Sequence, residues 1–188
     1  MAVRTLARVL TDVLNPFAIF TALFFAVALA ESQVSRALLY TGVELLAAAA
    51  VASYVLLMRR RARVGDFWIS ARAERLAPAV FLLMTFVVLL GALWLLGAPE
   101  ALSLLTLSMG LASATVALVT LFSKASAHCT VAGHAATAGL LLLGPLGIVF
   151  LLVLPLVIWS RVVLGAHTVL EALAGAAVGV VFAALFLA

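Results

Sequence analysis

The charged side chains of this chain lie in short polar segments that separate seven long apolar stretches. The stretches cover residues 16–30, 37–58, 78–96, 101–122, 126–143, 146–159 and 168–188. A transmembrane helix needs about 20 mostly apolar residues to cross the hydrocarbon core of a bilayer. Because two of the stretches are clearly shorter than that, the pattern predicts six or seven transmembrane helices.

The composition excludes a water-soluble fold. Apolar residues make up 68% of the 188-residue chain and charged residues 10%, whereas soluble domains have about 45–50% and about 25%. Transmembrane strands would need alternating segments of about ten residues, and runs such as LLAAAAVA and GLLLL do not alternate. We therefore expect an all-α integral membrane protein, folded as a single polytopic bundle over residues 1–188.

Net charge and cysteine content exclude further classes. The net charge of +4 is too small and too scattered for a protein that binds nucleic acid. The single cysteine, Cys129, excludes an internal disulfide and a multi-cysteine zinc site.

The placement of the positive charges predicts the orientation of the bundle. With seven spans, one face carries the N-terminus and the loops 59–77, 123–125 and 160–167, and ten of the eleven Lys and Arg residues. Only Arg36 falls on the other face. The positive-inside rule makes the first face cytoplasmic, and we expect the plasma membrane of a prokaryote. A cleaved signal peptide is an alternative for the first thirty residues, because Arg4 and Arg8 precede an apolar run that ends in Ala28-Leu29-Ala30.

Three groups of polar residues lie at the ends of apolar stretches on that same face. They comprise Asp66, Arg72, Glu74 and Arg75, then the segment from Ser123 through Lys124 and Ser126 to His128, then Ser160, Arg161, His167 and Glu171. Arginine and lysine bind phosphates and carboxylates, and a serine and free N–H groups at a helix start add donors to the same anion. Histidines supply proton transfer or nucleophilic attack near neutral pH. The groups together favour chemistry on an anion.

His167 and Glu171 are four residues apart and therefore share one helix face. A carboxylate in that position holds one imidazole nitrogen while the other nitrogen faces the substrate. No second carboxylate stands near them for Mg²⁺, and the sequence has no HExxH or clustered His/Cys pattern for zinc. We predict no metal and no other cofactor.

These residues resemble the motifs of the type 2 phosphatidic acid phosphatase superfamily of membrane lipid phosphatases, which read KxxxxxxRP, PSGH and SRxxxxxHxxxD. The third motif matches at Ser160, Arg161 and His167, with Glu171 in place of the aspartate. The second reads Ala125-Ser126-Ala127-His128. The first is represented by Arg75 and Pro78, with Trp68 at the position of the lysine.

The resemblance implies a metal-independent phosphatase acting on a phosphomonoester or diphosphate of a phospholipid or polyprenyl lipid whose tail stays in the bilayer. It implies that His167 is the nucleophile that forms a phosphohistidine, that His128 is the general acid, and that Glu171 orients His167. Phosphate oxygens would be held by Arg75, Lys124, Ser126 and Arg161, with Arg72 as a further candidate.

Two alternatives stay open within the site. Val131-Ala132-Gly133-His134 also ends in Gly-His, but His134 lies about 240° around a helix and about 9 Å deeper than His128. We favour His128, because it sits at the membrane boundary beside Lys124. Glu44 lies inside the second apolar stretch, where ionisable groups are usually functional.

A carrier or scaffold that binds an anionic lipid headgroup without cleaving it is the alternative function, and it would use Glu44. A prenyl transferase is disfavoured, because the sequence lacks paired Asp-rich motifs for Mg²⁺ and diphosphate. Small residues recur in segments 110–114, 135–139 and 172–179, and they predict close helix packing.

Overall fold

The structure is a computed structural model that describes residues 2–67, 74–120 and 122–188. Its regular elements are α-helices: α1 (Ala2–Val13), α2 (Pro16–Glu31), α3 (Val34–Arg60), α4 (Leu76–Leu95), α5 (Glu100–Val119), α6 (Ala127–Leu143), α7 (Ile148–Val163) and α8 (Val169–Leu187), with a short 3₁₀ turn between α6 and α7. Helices α2 to α8 coincide with the seven apolar stretches. The expectation of an all-helical membrane fold is confirmed.

The number of spans follows from helix length and apolar composition. Five helical segments of the described chain are long and apolar enough to cross a membrane, and a sixth is counted if α1 and α2, bent by 48°, form one span. The upper end of this range, six, equals the lower of the two predicted counts. The segment Ala127–Val163 counts once, although α6 and α7 turn back on each other, since the start of α6 and the end of α7 line the same cavity.

Polar residues begin three of the helices. The Asn15 side chain accepts a hydrogen bond from the Ala18 N–H, and Pro16 occupies the first helical position of α2. Ser126 caps α6, and Thr168 caps α8. These side chains satisfy N–H groups that a helix leaves without partners in its first turn. The last two caps fix where the helices that carry the site begin.

Helices α6 and α8 pack with their backbones in direct contact. A Cβ atom at Gly175 would collide with the backbone of Ser126, and one at Gly179 would collide with the backbones of Thr130 and His134. Gly133 of α6 lies equally close to the backbone of Ala176. The predicted close packing is confirmed here. It brings the start of α6 next to the start of α8.

Candidate functional site

A cavity of about 540 Å³ lies among helices α2 to α7 and brings residues of the three polar groups together. Its polar end, which we call the cationic rim, consists of Arg75, Lys124, His128, Arg161 and His167. The rest of the lining comes mainly from apolar side chains of α2, α3, α4 and α5, and we call it the groove. Cations that suit a phosphate and surfaces that suit a hydrocarbon chain thus share one space.

The position of His167 is set by the way in which α7 ends. Gly165 has a φ of +71°, in the left-handed region that glycine adopts without strain. Its N–H donates to the Val162 carbonyl at 2.9 Å, and the Ala166 N–H donates to the Arg161 carbonyl at 3.1 Å. These two bonds are the Schellman motif. The motif turns the chain back so that the His167 N–H also approaches the Arg161 carbonyl, at 3.4 Å.

The start of α8 holds His167 from the other side. The Thr168 Oγ1 accepts a bond from the Glu171 N–H at 3.2 Å, and the Glu171 Oε2 accepts one from the Thr168 N–H at 2.9 Å. This reciprocal pair is a capping box. The same Oε2 lies 3.5 Å from the His167 Nδ1. Glu171 therefore caps α8 and places its carboxylate beside the imidazole, although the His167 Nδ1 makes no hydrogen bond within the described residues. Glu171 itself lies outside the cavity lining.

The charges around His167 favour its neutral form. Burial is the largest cause that lowers the pKa of His167, and the positive charges of Arg161, Arg75 and Lys124 lower it further. The Glu171 carboxylate acts in the opposite direction. Since the lowering causes prevail, the surroundings of His167 favour the neutral imidazole at neutral pH.

His128 and Ser126 take different positions at the start of α6. His128 is buried and lines the cavity beside Ala127. Ser126 is fully buried, and its Oγ accepts from the Cys129 N–H at 3.5 Å. Ser126 lies outside the cavity lining. The structure therefore gives this predicted phosphate ligand the role of a helix cap.

The first polar group contributes one residue to the described cavity. Arg75, at the start of α4, belongs to the cationic rim. Arg72 and Trp68 lie outside the described residues. The Glu74 Oε2 accepts from the Gly65 N–H at 2.8 Å, which ties the loop after α3 to the start of α4. Across the described ranges, no three His, Cys, Asp or Glu side chains are grouped to hold a metal ion.

His134 lies apart from the cationic rim. It is fully buried, and its Nε2 shares a hydrogen bond of 2.8 Å with the Ser108 Oγ, which links α6 to α5. It does not line the cavity. Of the two candidate histidines, His128 and His134, His128 is therefore the one that lies beside Arg161 and His167.

The apolar part of the cavity includes residues that sequence reasoning did not single out. Phe20, Phe86 and Met109 line the groove, and no sequence signal distinguishes them from core residues. Glu44 also lines it and bonds to Thr21. Among the groove residues, Glu44 is the one that the sequence marked as unusual, because it is an ionisable residue inside an apolar stretch.

Comparisons of the chain with models of protein families, with curated proteins and with solved structures find no match.

Proposed function

We propose that this protein is an integral-membrane lipid phosphatase that hydrolyses a phosphomonoester or diphosphate of a phospholipid or polyprenyl lipid. One observation carries the proposal: the cationic rim with its two histidines opens directly into an apolar groove. A lipid phosphate has the same two parts. Its phosphate fits the three cations of the rim, and one chain fits the groove.

In the first step, the His167 Nε2 lone pair attacks phosphorus while Glu171 holds Nδ1. The bond from phosphorus to the lipid oxygen breaks, and His128 gives a proton to that oxygen. His128 carries this proton only while the negative charge of the bound phosphate offsets the positive charge of Arg161. Arg75, Lys124 and Arg161 bind the phosphoryl oxygens, on which negative charge is spread in the transition state. The products of this step are the lipid alcohol, or the lipid monophosphate from a diphosphate, and a phosphohistidine.

In the second step, neutral His128 takes a proton from water, and that water attacks phosphorus. The phosphorus–nitrogen bond breaks, which releases inorganic phosphate and restores both histidines to their starting states. The order of motifs that resembles the type 2 phosphatidic acid phosphatases supports this assignment of roles. We also propose that the rim faces the cytoplasm, because ten of the eleven cations are predicted on that face.

The test uses purified full-length protein in lipid nanodiscs, with short-chain phosphatidate as the substrate and EDTA present. We expect release of inorganic phosphate by the native protein and a loss of at least about 1,000-fold in His167→Ala. His134→Gln is the matched control, because it changes a histidine outside the cavity and keeps a hydrogen-bonding group for Ser108. Unchanged activity in His167→Ala would exclude the phosphohistidine mechanism.

A carrier for an anionic lipid headgroup is the second candidate, and Glu44 is the observation that favours it. Carriers use ionisable groups at membrane depth, and Glu44 shares the cavity with the cationic rim. Headgroup binding without phosphate release from phosphatidate, phosphatidylglycerophosphate or a polyprenyl phosphate would support this function in place of hydrolysis.

A further inference from the structure

Glu44 lies at the inner end of the groove. Its side chain is 3% exposed. Among the lining residues of α3, Glu44 is nearest the start of the helix and Val55 is nearest its end. The two positions are eleven residues apart in sequence, which corresponds to about 16 Å along the helix axis. On α4 and α5, Leu89 and Met109 are the corresponding inner residues.

Buried side chains of the bundle core lie beyond these lining residues. Phe20 of α2 packs edge-on against Phe86 of α4, with ring centroids 6.1 Å apart and an interplanar angle of 82°. Further along the same helices and α5, Leu23, Leu93 and Leu105 are fully buried in the core. A chain in the groove therefore has a limited length, and its inner end lies near Glu44.

Glu44 has few partners at this inner end. The Thr21 hydroxyl lies 2.9 Å from Glu44 Oε2 and 3.1 Å from Oε1, so one donor serves both oxygens. Thr21 itself lies outside the cavity lining. The threonine hydroxyls of the lining are used within their own helices: Thr85 donates to the Phe81 carbonyl, Thr120 to Ala117 and Thr130 to Ser126. A carboxylate has about four acceptor positions, and most of those of Glu44 are therefore available to a ligand.

We propose that Glu44, with Thr21 bonded to it from outside the lining, is a polar subsite that binds a hydrogen-bond donor, a hydroxyl or an amide, carried by the ligand chain at its end far from the phosphate. The inference rests on the proposed function in one respect, namely that the cationic rim holds the phosphate. A plain hydrocarbon chain that reaches Glu44 removes water from the carboxyl group and replaces no hydrogen bond, which is costly. A donor at that depth restores the bond.

The bond between Thr21 and Glu44 also joins α2 to α3, and a structural role alone would need no ligand. The two roles differ in what they change. A structural bond affects the stability of the protein and the binding of every ligand alike. A subsite changes the ratio of affinities between two ligands that differ only in a donor.

The experiment measures binding of n-alkyl phosphonates of increasing chain length and of their ω-hydroxyl counterparts, by titration calorimetry in nanodiscs. Phosphonates are not hydrolysed, so binding is measured apart from catalysis. At the length that spans the groove, we expect the ω-hydroxyl compound to bind about tenfold more tightly than the plain one. We expect this ratio to fall to about one in Glu44→Leu and to an intermediate value in Glu44→Gln.

Glu100→Gln is the matched control, because Glu100 is exposed at the start of α5 and lies outside the cavity lining. Equal affinities for the two compounds at every length, or an unchanged ratio in both Glu44 variants, would overturn the subsite while leaving the phosphatase in place. Binding of neither compound would overturn the phosphate site as well as the subsite. Because Glu44→Gln keeps a partner for Thr21, it tests the subsite even if Glu44→Leu fails to fold.

Discussion

A single carboxylate oxygen, Glu171 Oε2, serves both the start of α8 and the proposed nucleophile. It accepts the Thr168 N–H at 2.9 Å and lies 3.5 Å from the His167 Nδ1. Glutamate is the residue that a capping box uses at this position. The departure from the aspartate of the resembled motif is therefore accompanied by a local structural role for the longer side chain.

Glu171→Gln separates these two roles. Glutamine also forms a capping box, so we expect the melting temperature to change little. The substitution removes the negative charge that raises the pKa of His167, and we expect a loss of activity of roughly 10- to 100-fold, by analogy with partners that orient metal-bound histidines. Glu171→Ala loses the cap as well and should cost about 1 kcal/mol of stability.

The pH profile provides the second readout for Glu171→Gln. Because burial and the neighbouring cations lower the pKa of His167, the acid limb of kcat/KM that belongs to His167 should lie below the usual histidine value of about 6.5. Activity then falls as the pH drops through the folded-state pKa and protonates the nucleophile. In Glu171→Gln this limb should move to still lower pH, and a shift to higher pH would contradict the electrostatic role of Glu171.

The sequence predicted most of the cationic rim, since fixed spacings within short segments identify residues such as Arg161 and His167. It did not predict that Ser126 is a cap, because a serine before a helix has the same pattern whether its hydroxyl binds a ligand or the Cys129 N–H. The difference depends on how α8 packs against Ser126, which is a contact between distant parts of the chain.

At the scale of elements, the contact of α6 with α8 holds the start of α6, which carries His128, near His167, which directly precedes α8. Gly179→Ala should weaken it, because the added Cβ meets the backbones of Thr130 and His134. Backbone at this distance cannot yield as a flexible side chain can, and overpacking of this kind costs about 1–3 kcal/mol. We expect a lower melting temperature and lower kcat/KM, measured on the same nanodisc preparation.

Gly42→Ala is the control for Gly179→Ala, because nothing lies within 4 Å of a Cβ at Gly42. In a helix interior this substitution should leave stability unchanged or slightly raised. A Gly179→Ala protein as stable and as active as Gly42→Ala would show that the contact is less tight than described.

Hydropathy predicted the existence of α2 to α8, since apolar runs of that length form helices in a bilayer. It did not predict α1, which carries Arg4, Arg8 and Asp12 and bonds to α7 through Thr11 and Ser160 at 3.2 Å. It also did not predict which helices pair. In a bilayer every apolar face is compatible with lipid, so pairing is decided by shape and by small residues.

For the whole molecule, the orientation in the membrane decides which compartment the cationic rim faces. We predict that Arg63→Cys, in the exposed loop after α3, reacts with a membrane-impermeant maleimide only after cells are permeabilised. The native Cys129 is buried, so background labelling should be low. Arg36→Cys, on the opposite predicted face, should react in intact cells, and the reverse pattern would place the rim outside.

The groove is the part of the molecule that the sequence predicts least. Its apolar residues, such as Leu82 and Met109, have the same composition as the core, and only the way in which α2, α3, α4 and α5 diverge makes them line a cavity. Glu44 was noticeable from the sequence because charge is scarce in the apolar stretches. Its contact with Thr21 required the fold.

The turn between α7 and α8 is held by bonds among its own residues. From Arg161 to Glu171, a left-handed glycine, a Schellman pair and a capping box define the path of the chain. Arg161, His167 and Glu171 therefore lie on one segment whose conformation depends mainly on its own bonds. Such a segment could be transferred between two antiparallel helices of an unrelated scaffold. Conversely, one residue inserted between the two sets of bonds would leave each set intact but would change the position of His167 relative to Arg161 and Glu171.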